Sequence, residues 1–600
     1  MVKEFTNKEI AKILKAVAAA YEVKKGDKFK IMAYDRASTS VEHATSEIKD
    51  LWDDGKLNEL PGIGAAIASH LDELFRTGRV RHFEEVMKGL PPAMFEFLSI
   101  PGIGAKTAYK LCQKLKIKNP KTALKELERA AKLGKIRIIE GFGEESEKKI
   151  LEAIEAFKKG QIKERRMVLP YADTIAQEIV SYLLNCKAVK RVDTLGSLKR
   201  MVSTIGDIDI AVATESPQEV IDWFLKYPKI KKVIEKGPTG ASILLENGRQ
   251  VDLRIGKPEA YGAMLQYFIG SKHHNIHLRE LALKKGFSLS EYGIRPLKFK
   301  KDKQKILEFE KEEDFYHFLG LDWIPPELRE DSGEIEAALN HTLPNLLKID
   351  DIKGDLHIHS NFPIETSHDQ GTASMEEVIR KGEELGYEYI GFTEHNPSIS
   401  KHKPKEIIEI LKRKKEEIDK INYSNEKRVR NIPIKALNGL EIDIKPNGTL
   451  GIPEEGLKLL DYAIVSVHTS FKMNREEMTK RILSALGHSK VKILGHPTGR
   501  KLNEREGYEL DWEKVFDFCL KKGKWLEINA WPDRLDLPDV LVREAVKRKV
   551  KMVICTDSHS LEHLNLMRYG VAVARRGWAE KNDIINTLPY KEFKKLLNLG

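Results

Sequence analysis

Cysteine is scarce, with four residues in a chain of 600. Cys112, Cys186, Cys519 and Cys555 stand far apart and form no CxxC pair, which argues against a disulfide framework and a thiolate zinc site. They read as buried small hydrophobes. No run approaches the roughly 18 apolar residues of a membrane helix, so no membrane partner is expected. The opening MVKEFTNKEIAKIL lacks the charged-then-apolar layout of a secretion signal, which points to the cytoplasm. What the chain does have is globular composition, 41% hydrophobic and 32% charged. At roughly 150 residues per domain its length suggests about four structural units. Lysine and arginine number 102 against 91 acidic residues, a net +11 that mildly favours an anionic partner.

Residues 1 to about 165 read as short amphipathic helices punctuated by glycine turns. One motif repeats there. Leu60-Pro61-Gly62-Ile63-Gly64-Ala65-Ala66 is echoed by Ile100-Pro101-Gly102-Ile103-Gly104-Ala105-Lys106. Each sets a Gly-x-Gly turn at a helix start, where free amides and the helix dipole attract a phosphate and glycine permits close approach. A single copy is as readily an ordinary tight turn, but two copies point to DNA-backbone binding through Gly62, Gly64, Ala66, Gly102, Gly104 and Lys106. A third, Glu140-Gly141-Phe142-Gly143-Glu144-Glu145, puts carboxylates where a phosphate would sit and reads as structural.

Beyond about residue 167 short β runs surround acidic residues. In Gly206-Asp207-Ile208-Asp209-Ile210 the two aspartates are i and i+2 on a strand, so both carboxylates share one face. Such a pair is costly unless divalent cations lie between them. Asp252, in Arg249-Gln250-Val251-Asp252-Leu253-Arg254, can join from a neighbouring strand. Three carboxylates can hold two Mg²⁺ or Mn²⁺ ions for nucleotidyl transfer. A lone Asp-x-Asp is more often a surface strand end. Here Gly196, Ser197 and Arg200 lie just upstream and supply amide, hydroxyl and guanidinium donors for a triphosphate.

After Lys353 short apolar strands alternate with helices, the pattern of an α/β layer or barrel. Strands are expected at 355–359, 389–393, 436–441, 462–467, 491–495, 525–528 and 552–555. Histidines and carboxylates gather at their ends: His357, His359, Asp369, His395, Glu441, His468, His496, Asp557 and His559. The His-x-His and Asp-x-His pairs converge on one ion, and mixed nitrogen and oxygen donors suit Zn²⁺, Mn²⁺ or iron. His402, His488 and His563 stand apart and are set aside.

Residues 1 to about 330 resemble a family X DNA polymerase of the beta type, and 353 to 575 resemble a PHP (polymerase and histidinol phosphatase) domain. The resemblance implies a multidomain α/β protein. Its parts would be a helix-hairpin-helix domain at 1–85, a second such subdomain at 86–166 and a nucleotidyltransferase palm with a mixed sheet at 167–258. A nucleotide-selecting helical/β thumb at 259–322, a linker at 323–350 and a distorted (β/α)7 PHP barrel at 351–600 would follow. Asp207, Asp209 and Asp252 match the catalytic metal ligands, and Gly196, Ser197 and Arg200 the triphosphate site. Tyr267, Phe268 and Gly270 match the segment against the incoming sugar, and Asn275 and Arg279 the contacts to nucleotide and template. The nine residues gathered at the C-terminal strand ends match a site for up to three Zn²⁺ or Mn²⁺, or iron, that hydrolyses phosphoesters. Two departures stand out there: Ser367-His368-Asp369-Gln370-Gly371 replaces a compact Ser-Asp-Gly, and Thr393-Glu394-His395 replaces Thr-Asp-His. His368 could compete with Asp369 as ligand. The family's Schiff-base lysine is also missing, with Ala66 and His70 at the corresponding positions, so 5′-deoxyribose phosphate lyase activity is expected to be weak or absent. The resemblance thus implies a monomeric polymerase that fills short gaps in DNA repair using gapped or primed DNA and dNTPs. Its PHP domain would be a 3′–5′ exonuclease, with abasic-site or 3′-end processing as a further activity. The alternatives are a phosphatase on 3′-phosphates or small nucleotides, and a non-catalytic scaffold.

Overall fold

A computed structural model describes residues 5, 7–42, 48–53, 57, 63–98, 100, 103–158, 166–297, 306–426 and 434–599. It divides into two compact units, Met1–Arg165 and Arg166–Gly600. The four cysteines are free and buried. No helix among the described residues is long and apolar enough to cross a membrane.

The first unit is helical and holds two cores. Helix Asn7–Val23 turns Ile10, Leu14 and Val17, spaced four and three apart, onto one face. They pack with Ile67, Leu71, Leu74 and Phe75. The second core gathers Met94, Phe97, Ala108, Leu111, Leu127 and Ile154. Helix Arg81–Met87 runs across residue 85, and the cores change over between Met87 and Leu90.

The second unit opens with a five-stranded mixed sheet. Its order is Arg191–Thr194, Ile208–Ala213, Gln250–Gly256, Gly240–Leu245 and Ile230–Gly237. Ile208–Ala213 and Gln250–Gly256 run parallel while their neighbours are antiparallel. Helices Tyr261–Ile269 and Lys272–Lys284, the hairpin Phe287–Ser290 with Gly293–Pro296, and helix Glu312–Phe318 follow. The stretch 323–350 reads as a linker in sequence, but it is packed structure. Ile324, Leu328, Ile335 and Ala338 enter the core around Phe315 and Tyr316. The buried Arg329 donates to Glu312 and, through Nε, to the Ile324 carbonyl at 2.8 Å. The prolines at 325 and 326 suggest a loose connection, yet they open a short 3₁₀ turn that feeds this core.

All neighbouring strands of the C-terminal domain are parallel. One sheet comprises Gly354–Ile358, Tyr389–Phe392 and Lys435–Asn438. The other comprises Glu441–Asp443, Ala463–Ser466, Val491–Leu494, Trp525–Asn529 and Met552–Cys555. The parallel bridges His395↔Glu441 and Ile358↔Ser558 bring the two sheets together at both edges. The strand expected at 436–441 is broken at Gly439-Leu440. The Tyr462 ring crowds that point, and a Cβ on Gly439 would lie 2.8 Å from it. The break turns Glu441 into the start of a new segment and delivers its carboxylate to the same end as the histidines.

Candidate active sites

In the mixed sheet Asp209 and Asp252 are direct partners on adjacent parallel strands, while Ile208 and Ile210 are buried. Asp207 is exposed one residue before the strand. Burial, then the Asp252 charge, push Asp209 up to about 6, with Arg254 opposing and Asp207 adding to the rise. That mutual strain is what an intervening cation would relieve. Asp252 accepts from Ser242 Oγ and from Gln250 Nε2 at 3.1 Å, which fixes its direction. Gly196 holds φ +56°, and a Cβ there would lie 2.9 Å from Asp209 Oδ2. Glycine at this position therefore lets the Gly196-Ser197 turn close over the carboxylates. Arg200 ends the same turn.

The aromatic pair beside this site is locked rather than loose. Tyr267 and Phe268 meet edge to face at 4.9 Å, with Arg279 over the first ring at 5.0 Å and Arg254 over the second at 4.3 Å. Asn275 Nδ2 donates to the Tyr267 carbonyl at 2.7 Å and its Oδ1 accepts from Gln266 at 2.8 Å. Gly270 lies against Arg200 Nη1, 3.2 Å from the position of a Cβ.

In the helical unit Gly64 and Gly104 adopt nearly the same backbone, φ −82°, ψ 170° and φ −78°, ψ 170°, each immediately before a helix with no side-chain cap. A Cβ at either would meet nothing within 4 Å. Among the described residues, no packing demands glycine at either position. Ala66 is exposed on the first of these helices and Lys106 on the second. Gly62 and Gly102 lie outside the described residues. In the third copy Glu144 pairs with Arg137 at 2.8 Å, while Gly141 and Phe142 line a cavity of about 470 Å³ with Lys106, Lys110 and Lys149. His70 Nδ1 hydrogen-bonds the Tyr34 hydroxyl at 2.9 Å and its ring stacks on His82 at 4.6 Å.

The C-terminal candidates gather at one end of the parallel strands, where such folds collect functional side chains. Among the described residues, compact donor groups are His357, His359 and Asp557; Glu441, His468 and His496; His359, His395 and His559; and His368, His395 and His468. Ligand atoms within each lie within 4.8 Å of one another. Asp369 is exposed but reaches His395 Nε2 at 3.5 Å and His559 Nε2 at 3.4 Å. His496 and Asp557 hold positive φ, 26° and 54°, a strained backbone for residues of these types. The electrostatics describe donors awaiting charge. Burial and the neighbouring His395 lower His359 to about 3, and burial with Arg534 lowers His496 to about 4. Burial would lower His395 as well, but Glu441 and Asp369 outweigh it and raise it to about 10. Among the described residues, His357 Nε2, both His359 nitrogens, Glu441 Oε2 and His559 Nε2 are buried without a hydrogen-bond partner. Orphaned nitrogens converging on carboxylates fit divalent cations and little else.

Several residues around this cluster escaped the sequence reading. Glu527 Oε1 lies 2.6 Å from His357 Nδ1, and Asp443 Oδ1 lies 2.6 Å from His468 Nδ1, the placement of carboxylates that would orient a ligating imidazole. A glutamate inside the apolar strand Trp525–Asn529 was the available signal. His368 pairs with Asp443 at 3.1 Å. His563 Nδ1 accepts from the His559 amide at 3.2 Å, whereas His402 and His488 pair with Glu365 and Glu454. Glu394 takes no part in a donor group. It is buried against the Lys414 ammonium at 2.6 Å.

Comparison with known proteins matches residues 5–80 to a helix-hairpin-helix domain and 95–156 to a SAM-like helix-hairpin-helix tandem. Residues 264–330 match the DNA polymerase beta thumb and 355–530 the PHP domain. The chain is 33% identical over 593 residues to the DNA polymerase/3′-5′ exonuclease PolX of Bacillus subtilis (strain 168), covering 98% of this chain and 99% of that protein. It is also 23% identical to DNA polymerase lambda of Rattus norvegicus, over 54% of this chain and 56% of that one. DNA polymerase lambda of Arabidopsis thaliana is 24% identical, over 51% of this chain and 58% of that one.

Proposed function

The chain belongs to the family X DNA polymerases that end in a PHP domain, and on that premise we propose that it fills short gaps in DNA and trims 3′ ends with a second active site. The observation that carries the first activity is the pairing of Asp209 with Asp252 beneath the Gly196 turn. In this reading Asp207, Asp209 and Asp252 hold two Mg²⁺ or Mn²⁺ ions. Gly196, Ser197 and Arg200 bind the triphosphate, and the Tyr267–Phe268 wall excludes a ribose 2′-hydroxyl. Gly64 and Gly104, with Lys106, grip DNA phosphates without reading bases.

In the C-terminal domain His357, His359, Glu441 and Asp557, with His468, His496, His395, His559 and Asp369, would hold up to three cations. Glu441 lies 3.3 Å from His357 Nε2 through one oxygen and 3.1 Å from His496 Nε2 through the other, so it would serve donors on both sides. Glu527 and Asp443 fix the His357 and His468 rings so that the opposite nitrogens point inward. At both sites bound divalent cations supply Lewis acidity, acidifying a hydroxyl or water and absorbing charge on phosphate oxygens.

The test is one gapped, labelled substrate carrying both assays under metal titration. Stepwise primer shortening supports the exonuclease; release of inorganic phosphate alone would replace it with a phosphatase. The same gap with a 5′-deoxyribose phosphate on its downstream strand reports the lyase. His70 is an imidazole engaged by Tyr34, so deoxyribose phosphate release should fall far below the rate of extension, and equal rates would refute this reading.

A further inference from the structure

Arg200 closes the short helix Gly196–Lys199, and its side chain is only 13% exposed. Its Nε donates to Glu330 Oε1 at 2.9 Å and its Nη1 donates to the Ile269 carbonyl. Among the described residues, two of its five N–H donors are thus anchored, which leaves both Nη2 donors and one on Nη1 for a ligand. The same Glu330 oxygen accepts from Arg576 Nη1 at 3.0 Å, and that nitrogen also donates to the Arg200 main-chain carbonyl at 2.8 Å. Arg576, 7% exposed, is held from its other side by Asp539 at 2.7 Å. It ends helix Met567–Arg576, which follows the strand and loop bearing Asp557 and His559. Two guanidiniums and two carboxylates balance in charge, so the cluster has no electrostatic need of an anion. It acts as a brace.

We propose that Glu330 and Arg576 are positioning residues for nucleotide incorporation: they fix the Arg200 guanidinium for the incoming triphosphate, so that a side chain of the C-terminal domain sets nucleotide affinity at the polymerase site. This rests on reading Arg200 as a triphosphate contact. A guanidinium is a rigid fork, and two fixed donors leave it one torsional freedom to lose when a phosphate oxygen arrives. Glu330 alone could not impose this, because a carboxylate with one buried cation partner can follow that partner as it moves. Arg576 pins both the carboxylate and the backbone that carries Arg200.

The experiment is single-nucleotide insertion on gapped DNA with the full chain, reading KM for dNTP and kcat separately. Arg200→Ala, Glu330→Gln, Arg576→Met and Arg576→Lys are compared. Glu330→Gln and Arg576→Met should each raise KM roughly tenfold, the scale of one charge-assisted hydrogen bond, while kcat changes by less than about twofold. Arg576→Lys should recover part of the loss. Adding Arg576→Met to Arg200→Ala should have no further effect, since the braced group is already gone. Nuclease rates on 3′ ends should match the parent in the Arg576 variants, which also verifies folding. If Arg200→Ala raises KM and neither Glu330→Gln nor Arg576→Lys nor Arg576→Met does, the brace is refuted and the reading of Arg200 stands. If Arg200→Ala itself leaves KM unchanged, both fall. Additive losses in the double variant would also refute the brace.

Discussion

Lys414 lies fully buried on the long helix Pro404–Glu426, its ammonium shared between Glu394 and the carbonyls of Phe392 and Gly439. Lys414→Met leaves the Glu394 charge buried and unpaired, and thermal unfolding should show a loss of about 3–5 kcal/mol. The double change with Glu394→Gln should return most of it; no recovery would show that packing rather than charge governs the site. Glu527→Gln removes the carboxylate charge beside His357 and sets an amide NH₂ against one of the donors, His357 Nδ1 or the His496 amide, that the carboxylate accepts from. Metal content after equilibration with limiting Zn²⁺ or Mn²⁺ should reveal affinity lower by about 10–100-fold. Unchanged affinity would assign Glu527 to the core alone. Asp207 and Asp209, or His357 and His359, could be read as pairs from their i, i+2 spacing, although Asp207 stands one residue before its strand and His359 one residue after its own. Glu527 and Glu330 carried no such spacing. Their partners His357 and Arg200 are 170 and 130 positions away, and only the folded chain joins them.

Elements obey the same division. Helix starts at Gly64 and Gly104 were readable from a repeated motif, and the matching backbone angles follow from that repetition. Because a Cβ at Gly104 meets nothing, Gly104→Ala should cost no more than about 1 kcal/mol of stability. It should nevertheless weaken DNA binding, by crowding the approach of a phosphate. Lys106→Ala should lower affinity for all sequences alike and reduce the salt slope by about one, measured by anisotropy across a salt series. Full retention of affinity in both variants would leave the hairpin without a DNA role. The strands of the C-terminal domain were legible as buried apolar runs, but the break at Gly439-Leu440 was not. It coincides with the Thr393 methyl and the Tyr462 ring, both distant in sequence, pressing on Gly439. The stretch 323–350 misled for a related reason: its burial comes from Phe315 and Tyr316, which local polarity does not advertise.

At the scale of the whole molecule, residues 166–600 form one compact unit that contains both proposed metal sites. The hydrophobic core runs on from the mixed sheet into the parallel strands, and Tyr569 donates to Asp173 at 2.9 Å across that join. Mechanical continuity of this kind lets Arg576 reach Arg200, yet the donor sets stay distinct: no residue proposed for one metal site serves the other. The two chemistries should therefore separate. The decisive measurement is extension and 3′ degradation on the same gapped DNA by Asp207→Ala/Asp209→Ala and by His357→Ala/His359→Ala. The first pair should lose extension by about a thousandfold or more and keep degradation; the second should lose degradation and keep extension. Primer extension surviving the loss of both aspartates, or both activities vanishing together in either folded variant, would contradict the account.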